Sequence, residues 1–412
     1  MIISKTFNPE KVFFSVFIVY YVFRFLFPAV NGLGVGTLIF GLCIYWVSVS
    51  FRYIETRMLF PAHILFLFLF CFWAITLTFF ATSFSLATVI FFVYLLAFSY
   101  AAYFLSKLGA YNFVAKILLL FLGFQLFVVL GQAAKIHTGL GFDVPASSIE
   151  GIDKSYFLMT PGTFFNKNDL SAVSALSFVY FLIFGHYLGF DKKVTLGLFF
   201  SVILVLITTS RSSLLLLVLL VFIYLLFKKR RLSILLVPAL ISIFFGIWLI
   251  LFEYREEVVL LDIIVTKIET ISEIVKGGAS SSNSVSIRLY SYFNFIENIG
   301  ILGFGSGDLK SYGAYIPGDA PYRGMLASVP HSLVVELGYW GGWPLLILFF
   351  ISILSFKMLW SLMFFIYVVA FLGLSFVSSS VIGNFAFFWV FFNGFHLCLD
   401  KSILRPKTQK AQ

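Results

Sequence analysis

Long apolar runs alternate with short polar breaks along almost the whole chain. A run of ~20 apolar residues is enough to cross the ~30 Å hydrocarbon core of a membrane as a helix. About twelve runs approach that length, and they lie near residues 12–30, 33–51, 59–80, 83–105, 113–133, 169–189, 194–209, 212–227, 232–253, 332–355, 358–380 and 383–399. This pattern predicts an all-α polytopic membrane protein with about twelve transmembrane helices, built as a single integral membrane domain over residues 1–412.

Two polar stretches interrupt the pattern and are too long for simple connectors. They cover residues 134–168 and 254–330. Long loops on a rigid scaffold are where functional residues concentrate. We therefore expect the chemistry of the protein in these two loops and at the helix ends beside them.

Composition supports a membrane protein and excludes several kinds of site. Hydrophobic residues make up 61% of the chain and charged residues 11%, far from the composition of a soluble domain. The three cysteines all fall within apolar runs, so the sequence offers no disulfide framework and no cysteine-based metal site. No small-residue cleavage site follows the run 12–30, which we interpret as a first spanning helix rather than a signal peptide.

The positions of lysine and arginine predict the orientation in the membrane. Basic residues are retained on the cytoplasmic side of short loops, and the cluster at 228–231 is the strongest of these. Propagated from there, the same rule predicts cytoplasmic N- and C-termini and places 134–168 and 254–330 outside. The net charge of +10 is then mostly a topology signal and not a footprint for nucleic acid.

A polar turn with an arginine at its centre occurs between two apolar runs, at 208–213. An arginine at membrane depth is costly unless it pairs with something, which makes Arg211 a candidate for ligand binding. The alternative is a side chain that reaches lipid phosphate.

A second arginine, Arg288, introduces a short amphipathic segment in the large loop. Glycines at four positions between 300 and 307 follow it, and exposed backbone N–H groups in such a run suit an anion or a sugar. They are equally compatible with ordinary loop turns.

A histidine ends the large loop. His331 precedes Glu336 by just over one helical turn, so the carboxylate could approach the imidazole or an arginine. The alternative for His331 is a helix cap or an interfacial residue.

A fourth polar patch closes the first long loop. Asn166, Lys167 and Asn168 precede an apolar run, and amides with a lysine at a helix start suit sugar hydroxyls or phosphate. Asp169 is predicted to be the N-cap of that helix.

Taken in order, these features resemble the polysaccharide polymerase and O-antigen ligase family of bacterial envelopes. The order is GTFFNKNDLSA, TTSRSS, a basic loop, a large loop with SIRLY and NIGILGFGSG, and then PHSLVVELGYWGG. The likeness covers roughly residues 160–345. It implies a fold of the GT-C-like kind and functional roles for Arg211, Arg288 and His331. Where the family often has asparagine after the histidine, this chain has Ser332.

The resemblance also implies the reaction and its partners. Family members transfer a glycan from undecaprenyl diphosphate without a metal, and we expect no cofactor. The acceptor is either another lipid-linked repeat unit, for a polymerase, or lipid A core, for a ligase, and we favour the polymerase. Membrane lipid and a chain-length regulator are further candidate partners, whereas nucleic acid is not.

The remaining sequence-based expectations concern specificity, a rival function and location. Repeat-unit specificity is assigned to loop residues that include Tyr322 and Arg323, whose aromatic and cationic groups suit sugars. A transporter of lipid-linked sugars is a rival interpretation on helix number alone, but the candidate residues cluster at helix ends and not at the midplane. We expect a bacterial inner-membrane protein whose active site faces the periplasm.

Overall fold

The computed structural model describes part of the chain. The described residues are 62–80, 86–107, 111–143, 160–164, 166–188, 191–208, 210, 213–214, 216–221, 292, 295–296, 332–354, 362–375 and 384–399. The predicted segments 12–30, 33–51 and 232–253 lie outside these residues, as does most of the loop 254–330. The segment 212–227 is described over 213–214 and 216–221.

The described residues form helices and contain no strand. Eight long helices are seen among them: α1 (Ala62–Phe80), α2 (Leu86–Lys107), α3 (Tyr111–Thr138), α4 (Lys167–Leu188), α5 (Asp191–Ile207), α6 (Leu333–Ile353), α7 (Leu362–Ser375) and α8 (Phe385–Leu399). Each coincides with one predicted apolar run. The helical, membrane-protein character of the chain is thereby confirmed, while the total of twelve helices and the GT-C-like fold stay predictions.

Several of these helices are long and apolar enough to cross a membrane. In the described part of the chain four meet both criteria, namely Ala62–Phe80, Tyr111–Ile136, Lys167–Gly185 and Leu333–Ile353. Shorter apolar stretches lie within α2, α7 and α8.

Helix α3 runs beyond its predicted apolar run of 113–133, because polar residues continue it to Thr138. Its last turns carry Gln132 and Lys135, whose side chains have polar partners near the helix end. Because these polar side chains have partners, the helix can continue past the apolar run. Counting apolar residues alone does not predict this extension.

Helix α4 lies at the centre of the described bundle. It packs against α3, α5, α7 and α8, and most of its length is buried. Small residues allow the close approach to α5: a Cβ on Gly185 would lie 2.1 Å from Val194, and one on Gly197 would lie 2.5 Å from the Phe181 ring. Close backbone approach through small residues is the usual basis of helix packing in membranes.

Helix α6 is kinked near its middle. Gly342 has φ 61 and ψ −158, and Pro344 follows two residues later. A positive φ favours glycine, and proline cannot donate to the helical ladder. The kink separates the turns that carry Glu336 from the apolar half of the helix.

One end of the bundle is marked by two buried histidines, and we call it the histidine end. His63 begins α1, and His396 lies near the end of α8, with ring centroids 5.1 Å apart. Tyr103 of α2 packs edge-on against both rings, at 6.2 and 5.6 Å. Ser99 shares a hydrogen bond with His396 Nε2 at 3.4 Å.

The opposite end, called the polar-turn end, carries the turn 160–164 between α3 and α4. The starts of α4 and α8 meet there, where Asn384 Nδ2 donates to the Asp169 carbonyl at 3.2 Å. Ring contacts place the start of α6 at this same end. Phe91, early in α2, contacts Phe385 at 5.7 Å, and the neighbouring Phe92 contacts Trp340 of α6 at 5.6 Å.

Candidate functional site

Two glutamines of α3 hold the turn at the polar-turn end. Gln125 and Gln132 are seven residues apart, which puts them two turns apart on one face of the helix. Gln132 Nε2 donates to the Gly162 carbonyl at 2.9 Å, and Gly162 N donates back to Oε1 at 3.0 Å. Gln125 repeats the pattern on Thr163, donating to Oγ1 at 2.7 Å and accepting from N at 3.1 Å. Each amide therefore satisfies a donor and an acceptor of the turn.

The glycine within this clamp is required by both conformation and space. Gly162 has φ +63, a region that disfavours a Cβ. A Cβ there would lie 2.6 Å from Gln125 Oε1 and 3.1 Å from Leu170. The turn can therefore approach α3 this closely only with glycine at 162.

Helix α4 begins immediately after the turn, and its cap differs from the prediction. The N-cap is Asn166 and not Asp169, because Asn168 N donates to Asn166 Oδ1 at 2.8 Å and the helix starts at Lys167. Asp169 instead lies in the first turn, where a carboxylate is favoured by the helix dipole. The sequence-based assignment of the cap to Asp169 is therefore wrong.

The predicted substrate patch is partly accessible in this arrangement. The side chains of Asn166, Lys167 and Asn168 are each partly exposed, whereas Thr163 and Leu170 on either side are buried. Two amides, an ammonium group and the carboxylate of the partly exposed Asp169 thus lie together at the start of α4, next to the clamped turn.

The first buried turns of α4 contain hydroxyls without protein partners. Ser171 and Ser174 are fully buried, and neither Oγ has a hydrogen-bond partner among the described residues. Ser177, one turn further, bonds the Val173 carbonyl of its own helix at 2.7 Å. Since helical serines commonly bond in that way, the two hydroxyls nearest the patch stand out as available to another group.

Polar residues on both sides of Arg211, a predicted site residue, are also buried. Thr208, at the end of α5, donates to the Val205 carbonyl at 3.0 Å, and Ser210 O accepts from Leu214 N at 3.0 Å, where the next helix begins. Ser213 is fully buried, and its hydroxyl has no partner in the described parts of the chain. Arg211 itself lies outside the described residues.

The start of α6 supplies a buried carboxylate. Glu336 lies in the first turn and is 0% exposed, and its N–H donates to the Ser332 carbonyl at 2.9 Å. Ser332 is extended, with φ −158, and its buried hydroxyl makes no hydrogen bond within the described structure. A buried ionisable residue in a spanning helix is a functional candidate by default.

The segment that follows Arg288 docks on this same part of α6. Tyr292, Phe295 and Ile296 are helical, and the buried Phe295 ring lies 5.7 Å from Tyr339. Ile296 is exposed, which agrees with a short amphipathic helix at this position. The packing brings part of the large loop onto the helix that carries Glu336.

The described structure therefore contains four of the predicted site residues. Asn166, Lys167, Asn168 and Glu336 are seen, and the segments that carry them reach one end of the bundle. Those outside the described residues are Arg211, Arg288, Tyr322, Arg323 and His331. Sequence reasoning missed Gln125 and Gln132, although two amides at a spacing of seven in an apolar helix would have signalled a shared polar partner.

Comparison with known proteins bears on the region between α5 and α6. Residues 196–350 match the family model described as O-Antigen ligase. This match supports the resemblance to the O-antigen polymerase and ligase family over that region. No curated protein and no solved structure matches the chain.

The O-antigen ligase domain begins within α5 and ends within α6. It includes the positions of Arg211, Arg288 and His331 and also Glu336. The patch at 166–168 lies before it, on α4. The match confirms the resemblance stated from the sequence.

Proposed function

We propose that the protein is a bacterial envelope polysaccharide polymerase. It transfers a glycan from undecaprenyl diphosphate to another lipid-linked repeat unit, without a metal. The observation that carries the proposal is the O-antigen ligase domain at 196–350, because that domain contains Arg211, Arg288 and His331. The buried polar groups of the described neighbours, Ser213 and Glu336, support a site at this end of the bundle.

The two arginines act on the leaving group in this mechanism. When the bond between the anomeric carbon and the diphosphate oxygen breaks, negative charge develops on the phosphate. Fixed guanidinium groups stabilise that charge strongly in a poorly hydrated site. Arg211 and Arg288 are proposed for this role.

His331 acts on the acceptor. The acceptor hydroxyl oxygen forms the new bond to the anomeric carbon and gives its proton to the imidazole, whose ordinary pKa suits a base near neutral pH. Undecaprenyl diphosphate leaves with the electron pair of the broken bond. A single displacement of this kind inverts the anomeric configuration.

The remaining candidates bind and orient the glycan. Asn166, Lys167 and Asn168 offer donors to sugar hydroxyls or phosphate from a partly exposed helix start. Glu336, in the buried first turn of α6, is proposed to orient His331 or an arginine. Tyr322 and Arg323 are assigned to the recognition of the repeat unit.

The proposed orientation places the polar-turn end in the periplasm and the histidine end in the cytoplasm. The basic loops support it, since basic residues are retained on the cytoplasmic side and the cluster 228–231 and the basic termini would all lie there. The protein would then be a multi-pass protein of the inner membrane, with a chain-length regulator as a candidate partner.

Ligation of the glycan to lipid A core is the second candidate function. The description of the matched family as O-Antigen ligase favours it. Donor, leaving group and base are the same in both reactions, so the choice depends on the acceptor alone.

The lipopolysaccharide of a deletion strain distinguishes the two functions. Loss of a polymerase leaves a single repeat unit attached to the core. Loss of a ligase leaves no O-chain on the core, while polymer accumulates on the lipid carrier. Gel electrophoresis of lipopolysaccharide, with extraction of the lipid-linked pool, reads out both outcomes, and a normal profile in both fractions would contradict both functions.

Turnover by the purified protein tests the chemistry. The donor is the lipid-linked glycan extracted from the deletion strain, and the acceptors are that same pool and the lipopolysaccharide of the strain. Arg211→Ala and Arg288→Ala are expected to lower turnover about 10²-fold or more, as for loss of a group that stabilises developing charge. Arg255→Ala, a change in the same large loop outside the proposed machinery, is the control. Equal activity of all three variants would exclude the proposed roles of the two arginines.

A further inference from the structure

We propose that Gln125 and Gln132 are positioning residues for glycan transfer. They hold the turn 160–164 against α3 so that the N-cap and first turn of α4 present their amides and lysine to the substrate. The inference rests on the proposed function and extends it to two residues outside the matched domain, which begins at 196.

The clamp is built from buried amides with reciprocal partners. Gln125 is 0% exposed and Gln132 is 1% exposed, and each donates to the turn and accepts from it. Loss of one amide would leave buried groups of the turn unsatisfied, which is unfavourable. The turn therefore has one strongly favoured position relative to α3.

The position of the turn 160–164 determines the position of the patch 166–168. Asn166 is three residues beyond Thr163, and its side chain caps α4. The same helix start is held from the other side by Asn384, through the Asp169 carbonyl. Next to these two anchors the residues 166–169 are partly exposed, so a shift of the turn would move the polar groups at the start of α4.

A second observation indicates that a ligand reaches this helix start. Ser171 follows Lys167 by four residues and Asn168 by three, which puts it on the same helix face. Its hydroxyl is fully buried and has no hydrogen-bond partner among the described residues. Buried hydroxyls are normally bonded, and a sugar hydroxyl or a phosphate oxygen bound at the patch would supply the missing partner.

The two amides differ in the partner that they hold, which makes a rescue variant available. Gln125 pairs with the Thr163 hydroxyl, and a hydroxyl can either donate or accept. Gln125→Glu can therefore keep both bonds in either protonation state, whereas the apolar Gln125→Met loses both. Gln132 pairs with the backbone of Gly162, and Gln132→Met removes that pair.

Donor kinetics of the purified full-length protein test the inference, using the lipid-linked glycan extracted from the deletion strain. Gln125→Met and Gln132→Met are expected to raise the KM for this donor about tenfold and to leave kcat within about twofold, because binding common to ground and transition state is lost. Gln125→Glu should retain the wild-type KM. Ser177→Ala removes a buried hydroxyl that bonds only its own helix, and it serves as the matched control.

A double variant adds a measure of coupling. Because both glutamines hold the same turn, the Gln125→Met Gln132→Met protein should raise KM by less than the product of the single effects. Wild-type KM values in the Met variants would overturn the inference. So would a fall in kcat and in thermal stability with KM unchanged, since that would mean a purely structural clamp. Absence of transfer by the wild-type protein would overturn the proposed function, and this inference with it.

Discussion

The two ends of the bundle bury polar groups in different ways. At the histidine end, His63, His396 and Tyr103 are side chains packed against one another between α1, α2 and α8. At the polar-turn end, Gln125 and Gln132 form hydrogen bonds with the backbone of a turn and with the Thr163 hydroxyl. The first arrangement joins helices, and the second holds a segment that is not helical.

This difference separates polar residues that stabilise the bundle from those that organise a site. Backbone groups in a non-helical turn have no helical partners and must be satisfied by side chains when they are buried. Burying such a turn does not by itself stabilise the bundle, so we infer that the turn is buried because it positions neighbouring groups. At the polar-turn end it is followed by the partly exposed patch 166–168.

The largest contrast is expected between two histidines. His331→Ala should lower kcat by roughly 10²–10⁴ through loss of the base, with the thermal midpoint unchanged. His396→Ala removes a fully buried ring, so it should lower the thermal midpoint while the folded fraction keeps its turnover. Turnover of the purified proteins, set beside their thermal unfolding in detergent, checks both. Full activity of His331→Ala would show that His331 is not the base and that the polar-turn end does not act through it.

A smaller contrast is expected between two glycines at the polar-turn end. Gly162→Ala places a Cβ against Gln125 at a positive φ, and strain of about 1–3 kcal/mol should lower kcat/KM at least tenfold. Gly139 also has a positive φ of 75, but a Cβ there meets nothing within 4 Å. Gly139→Ala should therefore leave kcat/KM close to wild type. Donor titrations compare the two, and equal losses would mean that backbone strain, and not the clamp, governs activity.

The sequence predicts the helices more completely than it predicts the candidate site. Apolar runs located α1 and α4 to within a few residues, because burial in lipid leaves a strong local signal. The partners of Gln125 could not be predicted, since they lie 38 residues further along the chain. The cap was misassigned because Asn166 and Asp169 are both favoured caps, and the choice depends on where the preceding turn ends. Arg211, Arg288 and His331 were found through motif order, and their roles stay predictions.

Two asparagines, at the start of α8 and further along it, allow the two ends of the bundle to be compared within one helix. Asn384 accepts from Phe387 N at 3.2 Å and bonds α4, so Asn384→Ala loses a cap of about 1 kcal/mol together with the inter-helix contact. We expect a rise of about fivefold in donor KM. Asn393, toward the histidine end, bonds the Trp389 carbonyl of its own helix. Asn393→Ala should leave donor KM unchanged, and a rise equal to that of Asn384→Ala would show that α8 acts as a whole.

The smallest effect is expected from the ion pair beside the clamp. Lys135 Nζ lies 2.7 Å from Asp143 Oδ1, but the aspartate side chain is 88% exposed. Exposed pairs contribute little, because solvent and salt screen them. Asp143→Ala should therefore change donor KM by less than about twofold, and added salt should not alter the ratio to wild type. Kinetics at low and high ionic strength measure this. A large, salt-sensitive loss would mean that charge, and not the buried amides of α3, holds the polar-turn end together.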